Sequence, residues 1–366
     1  MNLSDYEYIN SNEQESFARF TIEKRLPAVL QSIIDEKVYQ EKIQRALEGL
    51  LHELPALTVR PIKLDQVEQE LWIDFFNRYE GLSILEVPFF YSEIYFYRYL
   101  LEVVNFSHNS IDPFLSKKKE ELNEDTFANL LAQTRSVEEG IYISLYGNKA
   151  DLSQIKRAED DIKLILDQSH DLIKCIEACD TIHILLDNAG TELFSDLILV
   201  HRILKFSRGK TVVLYPKSLP LLVSDATMAD IELLLDFLLK SKNPKLKNFA
   251  NAISNHIASG AIQFLLHPFW NSPSHFTNLS TQIQEKITPN DVLISKGDAN
   301  YRRFFEDRNI PPSFTGAASI CGSQFALRTL KSEIVSGLDE MKVKKLNQSD
   351  PDWMTSGKFA VIQKII

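Results

Sequence analysis

The sequence is poor in cysteine, and its few cysteines are unsuited to a network of disulfide bonds. Only three cysteines occur among the 366 residues, namely Cys175, Cys179 and Cys321. An odd and sparse set argues against a disulfide framework and is typical of a reducing compartment, so we expect a cytoplasmic location. Cys175 and Cys179 share a face of a predicted helix, where structural thiols are a simpler interpretation than a two-cysteine metal clip.

The sequence also lacks the features of secreted, membrane and nucleic-acid-binding proteins. Its first residues are polar and acidic, without the basic and apolar regions of a secretory signal. No apolar stretch approaches the length of about 18 residues that a membrane span needs. The formal net charge of −10 argues against a nucleic-acid partner. The tightest basic cluster, Lys117 to Lys119, is followed at once by two glutamates, which is typical of a solvated helix face.

Hydrophobic spacing divides the chain into two halves. Residues 1–135 carry apolar side chains at helical spacing and no convincing strand alternation, which predicts an N-terminal helical region packed on the rest. Three helices are predicted in this region. The first has Pro27 in its first turn and continues to Leu51, the second runs from Asp65 to Tyr79, and the third runs from Ser92 to Val104.

Residues 136–366 have the pattern of an α/β domain. Short apolar runs alternate there with amphipathic segments, which predicts a mostly parallel sheet flanked by helices in a Rossmann-like three-layer sandwich. The predicted strands are Ile141–Leu145, Ile182–Leu186, Thr211–Leu214, Ile262–Leu266, Val292–Ile294 and Phe359–Ile362. The predicted helices between them are Ile155 to Ile176, Leu193 to Leu204, Met228 to Leu239 and Leu246 to Ile257.

Acidic side chains follow three of the predicted strands. Asp187 and Asn188 come directly after one strand, Asp225 ends the segment that follows the second, and Lys296-Gly297-Asp298 follows the third. Ligands of open parallel sheets bind outside the carboxyl ends of the strands. We therefore expect Asp187, Asp225 and Asp298 to meet at one edge of the sheet and to be catalytic.

Carboxylates that converge in this way need a compensating positive charge. Two carboxylates about 4 Å apart repel by roughly 4 kcal/mol at an effective dielectric constant of about 20. Aspartate and asparagine oxygens are hard ligands that suit Mg²⁺ or Mn²⁺, with waters and phosphate oxygens completing the shell. Aspartate and asparagine side chains that meet at the strand ends therefore suit such a cation, and the nearby Lys296 and Arg302 would suit a phosphate beside it.

Each of these residues also has a structural interpretation. Asp225 could cap the helix that begins near Met228, because aspartate is among the best N-caps. Asp187-Asn188 and Lys296-Gly297-Asp298 could be ordinary turns between a strand and a helix. His183 lies within a predicted strand and is interpreted as a core histidine.

Nine segments, in this order, resemble the metal-dependent damage-control phosphatases, in particular the subgroup of sugar-phosphate phosphatases also described as acidic-residue methyltransferases. They are SFARFTIEKRLPAVL (16–30), FFYSEIYFYR (89–98), IDPF (111–114), LLDNAGTELFSDL (185–197), PLLVSDAT (220–227), HPFW (267–270), KGDANYRR (296–303), RTLK (328–331) and WMTSGKFAVIQ (353–363). The RTLK segment fits the Arg-Thr-any-Lys signature of that subgroup. One departure is PKSLPLL, which lacks the aromatic residue that relatives have after the proline.

The resemblance implies a function and a set of site residues. The activity would be hydrolysis of small sugar phosphates, such as fructose 1-phosphate or fructose 6-phosphate, with Mn²⁺, Mg²⁺, Ni²⁺ or Co²⁺ as cofactor. The family's metal ligands fall on Asp187, Asn188 and Asp225. Ten residues would bind substrate, some implied by the likeness and others placed by the strand ends. They are Asp187, Asn188, Glu192, Lys296, Asp298, Asn300, Tyr301, Arg302, Arg328 and Lys331.

Two other functions stay open. One is an S-adenosylmethionine-dependent protein carboxyl methyltransferase, an activity attached to the same subgroup. Against it, Tyr146-Gly147-Asn148 is a poor match to the Gly-rich loop that such cofactors usually use. The other is a non-catalytic protein that binds phosphometabolites. The sequence leaves open the identity of the sugar phosphate, the metal and the oligomeric state.

Overall fold

A computed structural model describes residues 2–147, 162–207, 209–317 and 320–365. At its centre is a seven-stranded sheet in the order β1-β7-β6-β5-β2-β3-β4. The strands are β1 Lys163–Asp167, β2 Thr181–Leu185, β3 Thr211–Tyr215, β4 Ile262–Phe264, β5 Val292–Lys296, β6 Ser323–Thr329 and β7 Phe359–Lys364. Strands β2 to β6 are mutually parallel, whereas β7 is antiparallel to β6 and pairs in parallel with β1.

The order of the strands places a crevice beside β2. From β2 the chain proceeds outward through β3 to β4, and it then returns to β5 on the other side of β2. The connections after β2 and β5 therefore leave in opposite directions, which opens a ligand-binding crevice at the carboxyl ends of these two strands. Asp187 follows β2 and Asp298 follows β5, so the fold brings both to this crevice.

Helices cover both faces of the sheet. Those before β1 are Phe17–Phe20, Leu26–Glu36, Glu41–Glu53, Gln66–Tyr79, Phe89–Val103, Phe106–Asn109, Leu115–Glu120, Glu124–Gln133 and Val137–Tyr146, with a π-helical turn at Thr21–Arg25. Those after it are Ser169–Ala178, Gly190–Phe206, Met228–Lys240, Pro244–Ala258, Thr281–Gln284, Gly297–Phe304 and Glu340–Ser349, and short 3-10 turns lie at Leu3–Asp5, Pro268–Asn271 and Phe276–Asn278. Within the described ranges, every helix is too short or too polar to cross a bilayer.

The predicted α/β fold class is confirmed. On one face of the sheet, N-terminal side chains such as Trp72 and Phe96 share a hydrophobic core with Leu185 and Tyr215 from the strands. The other face is covered by a second core that includes Phe194 and Ile253 from the later helices. The division of the chain at residues 135 and 136 stays a prediction.

The predicted strand Ile141–Leu145 is wrong, because these residues lie in the helix Val137–Tyr146. Ser136 and Glu139 form a capping box that starts this helix, and Gly140 lets it pack closely on Leu199. The run is apolar because it is buried on several sides, and periodicity alone cannot distinguish such a helix from a buried strand.

The structure differs from the sequence-based predictions at four further places. The segment to Leu51 is two helices, because Lys37 adopts a left-handed conformation with φ of 52° and ends the first. The predicted helix Ile155 to Ile176 begins outside the described residues, and its later part contains the strand β1 before the helix Ser169–Ala178. Strand β6 was not predicted, since SQFALRT has polar residues at both ends. Lys118 is not solvated: it is buried and pairs with Asp112 and Asp230, both at 2.8 Å.

Candidate active site

Two loops at the carboxyl edge of the sheet are joined through their backbones. The amide of Ala226 donates to the carbonyl of Asp187 at 2.8 Å. This bond is part of an isolated antiparallel bridge between Asn188 and Asp225. The loop after β3 can turn back to make this bridge because it includes left-handed backbone at Leu222, with φ of 47°, and at the next residue. The three predicted metal ligands therefore come from adjoining pieces of backbone.

Asp225 does not cap a helix, so that structural interpretation is wrong. The cap of the helix Met228–Lys240 is Thr227, in a capping box with Asp230. Asp225 is instead a buried carboxylate with 2% exposure. Burial raises its pKa to about 6, although the positive charge of Lys217 opposes the rise.

Asp187 lies against the start of the helix that follows β5. Gly297, with φ of +79°, begins this helix directly beside the Asp187 carboxylate. Burial raises the pKa of Asp187 well above its ordinary value, and the negative charges of Glu192 and Asp225 add to the rise. The site therefore concentrates negative charge that an approaching cation would relieve.

The amide of Asn188 is held by three side chains. Its Nδ2 donates to Oδ2 of Asp187 at 3.0 Å and to Oε2 of Glu192 at 2.8 Å. Its Oδ1 accepts a hydrogen bond of 2.5 Å from the hydroxyl of Ser224. Asn188 thus links the two loops and fixes Glu192 beside Asp187.

Six predicted site residues line one pocket at this edge. They are Asp187, Asn188, Glu192, Asp298, Arg328 and Lys331. Acidic side chains contributed after β2 and β5 therefore share a cavity with basic side chains contributed at and after the end of β6. This distribution of charges suits a bound cation together with an anionic group of a ligand.

Arg328 is the buried cation of the pocket. Its Cζ atom lies 3.9 Å from the centroid of the Tyr301 ring, and its Nη2 pairs with Oδ1 of Asp298 at 2.9 Å. Its Nε and Nη1 are buried and have no hydrogen-bond partner among the described residues. Unpaired guanidinium donors of this kind suit the oxygens of a phosphate or carboxylate.

The other predicted residues of this region lie behind the pocket. Lys296 donates to the carbonyl of Ser144 at 2.6 Å, to Asp196 at 2.6 Å and to Glu192 at 3.0 Å, which uses all three of its N–H groups. Direct contact of Lys296 with substrate stays a prediction, but its present bonds orient Glu192.

The remaining residues of the stretch Asp298 to Arg302 have protein partners too. Arg302 forms two hydrogen bonds to Asp307, at 2.7 and 2.8 Å, and pairs with Glu93 at 2.6 Å. The hydroxyl of Tyr301 donates to Gln363 at 2.9 Å. Asn300 donates from Nδ2 to the carbonyls of Leu186 at 3.2 Å and Lys296 at 2.8 Å. Their predicted contact with substrate is likewise untested.

The interpretation of His183 as a core histidine is confirmed. It is 1% exposed, and its ring nitrogens contact the hydroxyl of Tyr215 at 2.8 Å and Asp291 at 3.3 Å. Its side chain is therefore occupied within the sheet.

Sequence reasoning missed Lys217, a buried lysine of the site. It lies just after β3, and it interacts electrostatically with Asp225 and Asp187. Burial lowers its pKa, whereas the two carboxylates act in the opposite direction. The rule that singled out Asp187 would have found Lys217, since both follow the carboxyl end of a central strand.

The sequence comparisons with known proteins agree on one family. A family model described as the damage-control phosphatase ARMT1-like domain matches residues 21–346. The damage-control phosphatase ARMT1 of Danio rerio is 27% identical, with 97% of this chain and 96% of that protein aligned. The proteins of the same name from Bos taurus and Homo sapiens are 26% and 25% identical, each with 97% of both chains aligned.

The fold is also similar to a solved structure. The crystal structure of a DUF89 family protein from Pyrococcus horikoshii matches with a TM-score of 0.53 and 16% identity, over 95% of this chain and 98% of that chain. This likeness concerns the fold alone. The family model, in contrast, covers most of the sequence and includes the predicted metal ligands and both basic residues of the pocket. The chain therefore belongs to the damage-control phosphatase ARMT1-like family.

Proposed function

We propose that this chain is a metal-dependent phosphatase that hydrolyses small sugar phosphates, with fructose 1-phosphate and fructose 6-phosphate as the first candidates. The observation that carries the proposal is the pocket lined by Asp187, Asp298, Arg328 and Lys331, in which Arg328 has two nitrogens without a hydrogen-bond partner among the described residues. Arg328 and Lys331 supply the charge for a phosphate. The three ligand residues supply the oxygens for a cation.

The residues present fit a hard divalent cation. Burial raises the pKa of both Asp187 and Asp225, and the negative charge of Asp225 adds to the rise at Asp187, so positive charge between them would be favourable. Within the described ranges, no group of three or more His, Cys, Asp or Glu side chains forms a metal cage. A cation here would depend on the Asn188 oxygen and on water, as Mg²⁺ and Mn²⁺ commonly do. The Asn188 amide would have to turn over, because Nδ2 now faces Asp187.

The reaction follows from the charges of the pocket. A divalent cation, when bound, would supply Lewis-acid stabilisation of the phosphate. Arg328 and Lys331 would hold the phosphate oxygens and stabilise the charge that develops as the phosphoryl group transfers. The attacking water would lose its proton to an aspartate, and the bond from phosphorus to the sugar oxygen would break as that oxygen takes up a proton. Direct attack by Asp187 is the alternative, and trapping an aspartyl phosphate would identify it.

Phosphate release tests the proposal. A panel of phosphate esters, including both fructose phosphates, would be assayed with Mg²⁺, Mn²⁺, Co²⁺ and Ni²⁺ and in EDTA. We expect turnover with at least one metal, none in EDTA, and none in Asp187→Ala, whose fold should be kept. Absence of phosphate release from every ester with every metal would reject the proposal.

The same preparation separates the alternatives. Transfer of a methyl group from S-adenosylmethionine to protein carboxyl groups in metal-free buffer would support a methyltransferase. Tight binding of sugar phosphates without turnover would support a binding protein. The cytoplasmic location and a small phosphate ester as partner remain predictions.

A further inference from the structure

Lys217 lies at the start of the loop after β3, and its backbone holds it against the end of that loop. Its amide donates to the carbonyl of Ala226 at 2.8 Å, and it forms a parallel bridge with Thr227. These bonds fix the lysine next to the end of the loop that carries Asp225. The side chain is 2% exposed, so its ammonium group has little access to bulk water.

The ammonium group of Lys217 has one hydrogen bond to a described residue. Its Nζ donates to Oδ1 of Asn300 at 3.1 Å. Because the amide nitrogen of Asn300 is engaged by two backbone carbonyls, the amide oxygen is fixed as the acceptor that faces Lys217. An ammonium group has three N–H donors, so two of them are left over among the described residues.

Comparison with the other buried lysines shows that this arrangement is unusual. Lys296 satisfies all three donors with protein acceptors, and Lys118 pairs with two carboxylates. Lys217 is as buried as either, yet it forms no ion pair with a described residue and only interacts with Asp225 and Asp187 at longer range. A buried charge whose hydrogen bonds are incomplete is costly, so its retention points to a ligand that completes its bonds.

We propose that Lys217 is a further phosphate-binding residue, which donates its free N–H groups to an oxygen of the substrate's phosphoryl group and of the phosphate product. This inference rests on the proposed function. A compact ammonium group beside acidic residues and a cation is a common phosphate ligand. Arg328 would then hold the same group through its planar fork, and Asn300 would position Lys217 rather than contact the substrate.

Binding of inorganic phosphate to the full chain tests the inference directly. The dissociation constant would be measured by titration calorimetry with saturating Mn²⁺ for the wild type, Lys217→Met, Lys217→Arg and Asn300→Ser. Lys240→Met is the matched control, because Lys240 is exposed and pairs only with Asp236 on its own helix. Circular dichroism and melting temperature would establish that each variant is folded.

We expect Lys217→Met to weaken phosphate binding by about 10- to 100-fold, the value of one charge-assisted hydrogen bond. Lys217→Arg should recover part of the loss, Asn300→Ser should show a smaller one, and Lys240→Met should match the wild type. A folded Lys217→Met with a dissociation constant within about twofold of the wild type would overturn the inference. If Lys217→Met does not fold, unchanged affinity in both Lys217→Arg and Asn300→Ser would overturn it.

The experiment distinguishes the two proposals. Lys217-dependent phosphate binding without turnover of any ester would reject the phosphatase and keep this inference. Turnover together with Lys217-independent phosphate binding would reject only the inference. A wild type that neither binds phosphate nor releases it would reject both.

Discussion

The α-carbon of Gly297 lies directly against the carboxylate of Asp187. A Cβ atom placed on Gly297 would come within 1.9 Å of Oδ2 of Asp187, far inside contact distance. The backbone at Gly297 also has φ of +79°, a conformation that residues with a side chain rarely adopt. Glycine at this position therefore lets the helix after β5 begin beside the acidic residue after β2.

Replacing Gly297 by alanine should displace Asp187 and impair catalysis. We expect kcat/KM for the best phosphate ester to fall by about 100-fold, because a misplacement of about 1 Å at a reacting group has this effect. Gly260→Ala is the matched control: Gly260 has φ of +76° but open space around its α-carbon. Both variants should lose about 1–2 kcal/mol from the left-handed backbone, and an equal activity loss in the two would contradict the steric argument.

Asp225→Asn should stabilise the metal-free protein at neutral and alkaline pH. The folded-state pKa of Asp225, about 6, lies above its ordinary value of 3.8, so its ionisation destabilises the fold as the pH rises from about 4 to above 6. Urea unfolding in EDTA should show a gain of about 1–3 kcal/mol at pH 8 and no gain near pH 4. Mn²⁺ should raise the melting temperature of the wild type only. Equal stability at pH 8 would show that Asp225 is not strained by its burial.

Arg328→Lys should weaken substrate binding although it keeps the charge. Lysine has no planar fork, so it cannot replace the unpaired Nε and Nη1 donors while it also pairs with Asp298. We expect kcat/KM to fall by about 10- to 100-fold. Arg45→Lys is the control, because Arg45 lies on an exposed helix and pairs with Glu41, and this variant should keep the wild-type kcat/KM. Wild-type kinetics in Arg328→Lys would remove Arg328 from the substrate site.

Lys296→Met should mainly lower stability, whereas Lys331→Met should mainly raise KM. Loss of the buried Lys296 leaves Asp196 and Glu192 without their counter-charge, so unfolding should require about 3–5 kcal/mol less. Lys331 is exposed at the pocket, so its loss should change stability by less than about 0.5 kcal/mol. We expect it to raise KM about tenfold. Chemical denaturation and steady-state kinetics would be measured on both variants. A loss of stability in Lys331→Met, or unchanged stability in Lys296→Met, would contradict the prediction.

Much of the sheet could be predicted because buried parallel strands have apolar sequences. The runs that became β2, β3 and β5 are of this kind, and the acidic residues in the segments after them could be identified because ligands bind at the carboxyl ends of parallel strands. Ile141–Leu145 was misassigned because a helix buried on several sides has the same composition. Strand β6 escaped detection because it carries the polar residues Gln324 and Arg328, and Arg328 pairs with Asp298, which is remote in the sequence.

The sequence by itself determined the family, the α/β class and the acidic residues at the strand ends, because these depend on local composition and on the order of segments. Only the tertiary structure decided which basic side chains reach the pocket. Lys296 ends β5 and Arg302 lies in the helix that follows, yet carboxylates from elsewhere in the chain hold them behind the site. Lys217 follows β3 in a similar way and retains free donors. The direction of each side chain depends on neighbours that are remote in the sequence, and those neighbours meet only when the sheet is assembled.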